Sequence, residues 1–160
     1  MKETGLMFKA PLVRSMLGGQ KLVTRRIAGT TTTMGHDSIL EPHRGRKSAF
    51  TFLLPEQVDL ALQLSPFGQA GDLIYVRETC NAVELPSGLD GVRYHADKAF
   101  SPIEPTHEMA DAWCKLNAYR GQRGATIPAV HMPKWAARIW LQIERVRLEP
   151  LHAITDSDCW

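Results

Sequence analysis

The sequence is poor in the residues that build disulfide frameworks and metal sites. It has three cysteines, Cys80, Cys114 and Cys159, with no CxxC pair, and its six histidines show no ligand spacing. We therefore expect reduced thiols in a cytoplasmic protein, with no metal and no cofactor. The N-terminus does not resemble a signal peptide, and no apolar run approaches the about 20 residues that span a bilayer, so no membrane partner is expected.

The chain also has little net charge, but that charge is unevenly distributed. The formal charge is +2, and the hydrophobic content of 44% is ordinary for a globular protein. Residues 1–47 contain nine Lys or Arg and three Asp or Glu, a net charge of +6, whereas the remainder carries −4. A basic N-terminal third suits an anionic ligand such as a nucleotide or an RNA strand, although a basic loop without a partner would give the same count.

Turn residues are frequent and favour an α+β fold that is rich in strands. Ten prolines and twelve glycines fit such a fold better than a helical bundle. We expect one domain over residues 1–160, with strands at 5–9, 73–78, 81–85, 92–96 and 138–148. Helices are expected at 11–17, 55–64 and 106–119, the last capped by Thr106. Residues 28–50 show little apolar periodicity, which predicts a mobile loop.

The stretch that combines the most reactive side chains is Gly19-Gln20-Lys21-Leu22-Val23-Thr24-Arg25-Arg26. Lys21 and Thr24 place an amine near a hydroxyl, and an amine whose pKa is lowered by burial or by neighbouring cations can accept the hydroxyl proton. Arg25 and Arg26 would supply that positive field and could also bind a phosphate. A surface cluster of Lys and Arg after a glycine turn is the alternative interpretation.

Further candidates follow the later strands. Alternation over 73–78 places Glu78 at the end of a strand, on the face of its core residues, where a carboxylate is either solvated or held by a cation such as those of the 19–26 stretch. Tyr94 could stack on a base, although a core position is the commoner role of a strand tyrosine. His131, Lys134 and Trp135 lie in a loop stiffened by two prolines and could contact a base or plug one end of the fold.

Three of these segments occur in an order that resembles the ASCH-domain family. The 19–26 stretch carries G-x-K-x-x-T-x-R and follows Met7-Phe8-Lys9-Ala10-Pro11. Gly71-Asp72-Leu73-Ile74-Tyr75-Val76-Arg77-Glu78 carries G-D-x-x-x-V-R-E, and His131-Met132-Pro133-Lys134-Trp135-Ala136 comes third. The resemblance is to the longer kind common in phages and prophages. It runs from about residue 5 to the end and is poor over residues 28–56.

The resemblance implies a small PUA-like β-barrel of about five or six strands with flanking helices, which handles RNA or modified nucleosides. By resemblance, Thr24 would be the nucleophile and Lys21 its general base in the hydrolysis of an N4-acetylcytidine-like nucleoside. The proton-donating glutamate of the family lies on a helix after the last motif, and this sequence ends shortly before that position. Glu78 is the only substitute available.

Three interpretations of function remain open at this stage: an RNA- or nucleoside-binding module, an amidohydrolase or ribonuclease, and a phage protein that binds a host protein. The catalytic candidates are Lys21, Thr24 and Glu78. The nucleic-acid-binding candidates are the cationic and aromatic residues of the motifs and their surroundings, namely Lys9, Arg25, Arg26, Arg77, Tyr94, His131, Lys134 and Trp135.

Overall fold

A computed structural model of the chain describes residues 1–20, 23–25, 65 and 67–147. Its regular elements are β1 (Glu3–Met7), α1 (Ala10–Leu17), β2 (Leu73–Arg77), β3 (Cys80–Glu84), β4 (Asp90–Tyr94), β5 (Phe100–Pro102), α2 (His107–Asn117) and β6 (Trp140–Gln142). The expected loop at 28–50 and helix at 55–64 lie outside the described residues. Within the described ranges, no helix has both the length and the apolar character to cross a membrane.

The strands form two small sheets, which confirms the α+β class. In the first sheet β2 is central, parallel to β1 and antiparallel to β6, and in the second an antiparallel β4 lies between β3 and β5. No ladder joins the two sheets among the described strands, so a closed barrel is not seen there. Closure needs continuous staggered pairing, and β5 and β6, at three residues each, provide little length for it.

The first core lies between α1 and the first sheet. Ile74 and Val76 of β2 are buried while their neighbours are half-buried, as the alternation of the sequence predicted. Val13 of α1 is fully buried against Val76, and Met16 packs at the rim of the same cluster. The apolar spacing of α1 alone would also bury its two leucines, Leu12 and Leu17, but they are 38% and 49% exposed.

The second core lies between α2 and the second sheet. Trp113 and Leu116 of α2 are buried there, as the spacing predicted. The Trp113 indole donates to the Gly91 carbonyl at 2.8 Å, so its polar atom is satisfied within the core. Thr106 begins the helix as expected, with its hydroxyl accepting from the Met109 amide at 3.2 Å.

An arginine connects the two sheets. Glu78 lies at the junction where the chain leaves β2 for β3, and Arg138 precedes β6. Arg138 donates to both Glu78 carboxylate oxygens, through Nε at 2.8 Å and Nη2 at 3.0 Å. It also donates to both oxygens of Asp97, at 2.8 and 2.9 Å, and lies 4.0 Å from the centroid of the Tyr94 ring. One guanidinium therefore links the β2–β3 junction, the chain after β4 and the approach to β6.

Because both side chains are buried, this ion pair matters for the stability of the fold. Only 2% of the Glu78 side chain and 15% of Arg138 reach solvent, so either charge alone would be strongly unfavourable. Burial acts to lower the pKa of Arg138, but hydrogen bonds and charge from Glu78 and Asp97 outweigh burial and raise that pKa above its ordinary value. The hydrogen bonds from Arg138 likewise lower the pKa of Asp97, against a smaller opposing effect of desolvation.

We predict that Thr106→Ala lowers the free energy of unfolding by about 1 kcal/mol, because the Met109 amide loses its acceptor at the start of α2. Thr106→Ser is the matched control, since it keeps the hydroxyl, and should stay close to wild type. Urea denaturation followed by circular dichroism measures both. Equal stability of the alanine and serine variants would contradict the cap.

We predict that Asp97→Asn destabilises the protein by about 1 kcal/mol at neutral pH, since it removes a charged partner of Arg138. The folded pKa of Asp97 is lowered from 3.8, so its carboxylate stabilises the fold above that value and loses this contribution as pH falls through the lowered pKa. Denaturation at a series of pH values should show the wild type and the variant converging as the pH falls through this lowered pKa. A difference that persists unchanged in acid would contradict this role.

Candidate nucleic-acid interface

The 19–26 stretch begins where α1 ends, and it ends there for the predicted reason. The Gly18 and Gly19 amides donate back to Arg14 and Met16 carbonyls at 2.9 and 3.0 Å, and Gly19 has a φ of +69°, which glycine adopts without strain. Thr24 is half-buried just beyond this turn.

Arg25, another charged residue of this stretch, is also half-buried. Lys21 and Arg26 lie outside the described residues. The meeting of Lys21 with Thr24 therefore stays a prediction.

Glu78 is not available as the substitute catalytic acid. Both of its carboxylate oxygens accept hydrogen bonds from Arg138, and its side chain is 2% exposed. A carboxylate with both oxygens engaged by one guanidinium is not turned toward a substrate, and it has almost no contact with solvent. Arg138 holds both oxygens of this carboxylate, whereas the sequence analysis named the cations of the 19–26 stretch as candidates. Glu78 is thus a structural ion-pair residue.

Tyr94 is likewise a core residue and offers no stacking surface. It is 2% exposed, and its hydroxyl donates to the Ala136 carbonyl at 2.8 Å. Burial raises the pKa of this hydroxyl to about 12, which keeps it protonated as a donor. The expectation that Tyr94 stacks on a base is wrong, because its ring is packed in the second core and against Arg138.

Residues 128–136, here called the 128–136 segment, are fixed at the end of β2. Arg77 donates through Nε to the Met132 carbonyl at 3.1 Å and through Nη2 to the Val130 carbonyl. The buried Met132 side chain accepts from the Glu78 amide through its sulfur at 3.1 Å. The second and third motifs of the sequence therefore contact each other directly, and the segment is a rigid part of the structure.

One side of this segment faces α2 and forms an open groove with a volume of about 500 Å³. Its walls come from the exposed side of α2 and from the segment, and the lining residues are Glu108, Asp111, Ala112, Lys115, Leu116, His131, Pro133 and Trp135. The half-buried indole of Trp135 offers an aromatic surface, while carboxylates and an imidazole offer hydrogen-bonding groups.

The other side of the segment faces the first sheet. Lys134 forms an ion pair with Glu3 of β1, and its ammonium lies 5.6 Å from the centroid of the Trp140 ring. Arg77 belongs to the neighbouring strand, and Lys9 is exposed just before α1. The structure thus divides the nucleic-acid candidates, with Arg77 and Lys134 toward the first sheet and His131 and Trp135 along the groove.

Sequence reasoning missed the residues that join these parts. Arg138 holds Glu78, and Asp97 accepts hydrogen bonds from Arg138, but these contacts depend on long-range folding and leave no local pattern. Trp140 did carry a signal, because it lies between Ile139 and Leu141 in an alternating strand and so occupies the face opposite to the core. Its 41% exposure follows from that position.

In the part of the chain that the structure describes, no group of three or more His, Cys, Asp or Glu side chains is arranged to hold a metal ion. No family model, curated protein or solved structure matches the chain. Function is therefore inferred from the motifs of the sequence and from the residues that the structure brings together.

Proposed function

We propose that the protein binds RNA or a modified nucleoside as an ASCH-domain protein of the phage or prophage type, on a PUA-like fold. The observation that supports this most is the arrangement of the 128–136 segment. Arg77 of the second motif holds this segment by its backbone, and the segment lines the groove with His131 and Trp135 of the third motif. The second motif thus holds the segment whose third-motif residues line the groove.

The charges in the groove favour a nucleobase over a phosphate. Glu108 and Asp111 are balanced within the groove only by Lys115, while His107 lies 3.5 Å from Asp111 at its margin. A bare phosphate would meet repulsion there, whereas carboxylates accept hydrogen bonds from exocyclic amines of bases. A base would stack on Trp135.

We predict that Trp135→Ala weakens the binding of N4-acetylcytidine or of a short single-stranded RNA about tenfold, because one stacking surface is lost. Trp135→Phe keeps a ring and should retain most of the affinity. Leu89→Ala, at a 46% exposed position in the β3–β4 turn, is a control remote from the groove and should not change binding. Isothermal titration calorimetry measures all four proteins, and unchanged affinity in Trp135→Ala would contradict the groove as the site.

The alternative function is hydrolysis of an N4-acetylcytidine-like nucleoside, and the K-x-x-T spacing of Lys21 and Thr24 is what favours it. Thr24 would attack the acetyl carbonyl while Lys21 takes the hydroxyl proton. Lys21 would then return that proton to the departing amine, and water would release acetate from the acyl-enzyme. This route does not require Glu78, which the ion pair with Arg138 occupies. A ribonuclease with the same groups is the related possibility.

We predict that Lys21→Arg separates binding from catalysis, since arginine keeps the positive charge but does not lose its proton at neutral pH. If the protein is an enzyme, Lys21→Arg and Lys21→Ala both lose turnover of N4-acetylcytidine, or RNA cleavage. If it only binds, Lys21→Arg retains RNA affinity, while Lys21→Ala weakens it and lowers the salt slope by about 1.

Product formation followed by chromatography and RNA binding at several salt concentrations provide the two measurements. Turnover that survives in Lys21→Arg would contradict the proposed base.

A further inference from the structure

We propose that the outer face of the first sheet is a second contact surface for nucleic acid, a platform on which unpaired bases of a single strand stack. Tyr75 and Trp140 form this platform, and Lys134 and Arg77 border it. The inference rests on the proposed function in taking RNA as the ligand, but it uses residues outside the groove and can fail independently of it.

The two aromatic rings are neighbours across the β2–β6 pair. Tyr75 is directly opposite Trp140 in the register, their ring centroids are 5.6 Å apart, and the ring planes are tilted by 44°. Trp140 is 41% exposed, although tryptophan has the largest apolar surface to bury. The pair therefore presents an aromatic surface to solvent at the centre of the sheet.

β1 takes part in this surface because it leaves room for the ring of Tyr75. Gly5 is paired in register with Tyr75, and a Cβ built on Gly5 would lie 2.5 Å from Tyr75 Cζ. The Tyr75 ring can occupy this position only because residue 5 has no side chain. Gly5, Tyr75 and Trp140 thus form one row across all strands of the sheet.

The charges around the row favour a nucleic acid over an apolar protein segment. The Lys134 ammonium is 5.6 Å from the Trp140 ring centroid, and Glu3 pairs with it. Arg77 shares the face of Tyr75 on β2, and among the described residues its guanidinium donates to the carbonyl oxygens of Val130 and Met132. Those acceptors are neutral and do not cancel the positive charge of Arg77. Aromatic rings beside cations are what single-strand sites combine.

The platform and the groove are connected by consecutive residues. Lys134 borders the platform and Trp135 lines the groove, and both belong to the rigid 128–136 segment. A single strand with one base in the groove can therefore continue over the segment onto the Tyr75–Trp140 row. A free nucleoside would use the groove alone.

The test compares Trp140→Leu with Trp140→Phe. Both keep an apolar side chain on β6, but only phenylalanine keeps a ring on which a base can stack. We expect Trp140→Leu to weaken the binding of a fluorescein-labelled oligouridine about tenfold and Trp140→Phe to stay within about twofold of wild type. Neither variant should change N4-acetylcytidine binding. Fluorescence anisotropy, calorimetry and thermal melts followed by circular dichroism provide the three readouts.

Several outcomes would overturn the platform while the groove stands. These are an oligouridine affinity that Trp140→Leu leaves unchanged, a wild type that binds the nucleoside but not the oligomer, and an RNA duplex that competes as well as the single strand.

A Trp140→Leu protein that keeps RNA affinity but loses a co-purifying protein would identify a protein interface instead. Loss of nucleoside binding in both variants would assign Trp140 a structural role. A wild type that binds neither probe would overturn the proposed function, and the platform with it.

Discussion

The ion pair between Arg138 and Glu78 is the interaction on which the rest of the structure depends. Glu78 lies where the chain leaves the first sheet for the second, and Arg138 lies where it returns to the first sheet as β6. Since both charges are buried, loss of Arg138 would leave the Glu78 carboxylate buried without this partner. The pair therefore fixes the end of the 128–136 segment and the start of the strand that carries Trp140.

The candidate interface depends on the backbone of the 128–136 segment, which side chains hold in place. Arg77 binds the segment through its carbonyl oxygens, and Met132 anchors it from the core side. Such a segment loses little conformational freedom when a ligand binds, which favours affinity for a small, flat molecule. The segment carries Trp135 toward the groove and Lys134 toward the first sheet.

Local features were predictable from the sequence, and long-range ones were not. The alternation in β2 and the cap of α2 at Thr106 follow from residue spacing and from side-chain chemistry within a few positions. The partner of Glu78 could not be predicted, because Arg138 is 60 residues away and many cations were equally plausible. Burial of Tyr94 depends on the same contact. Closure of the sheets into a barrel depends on pairing that no local pattern records.

The central claim is that nucleobases contact both the groove, which Trp135 lines, and the platform, which Trp140 forms with Tyr75. Two-dimensional NMR of the tryptophan indole N–H groups tests this claim most directly. Trp113 serves as an internal control, because its indole donates to the Gly91 carbonyl inside the core. On titration with a short single-stranded RNA, the signals of Trp135 and Trp140 should shift together while that of Trp113 stays in place. Saturable RNA binding that leaves both Trp135 and Trp140 unshifted would contradict the account.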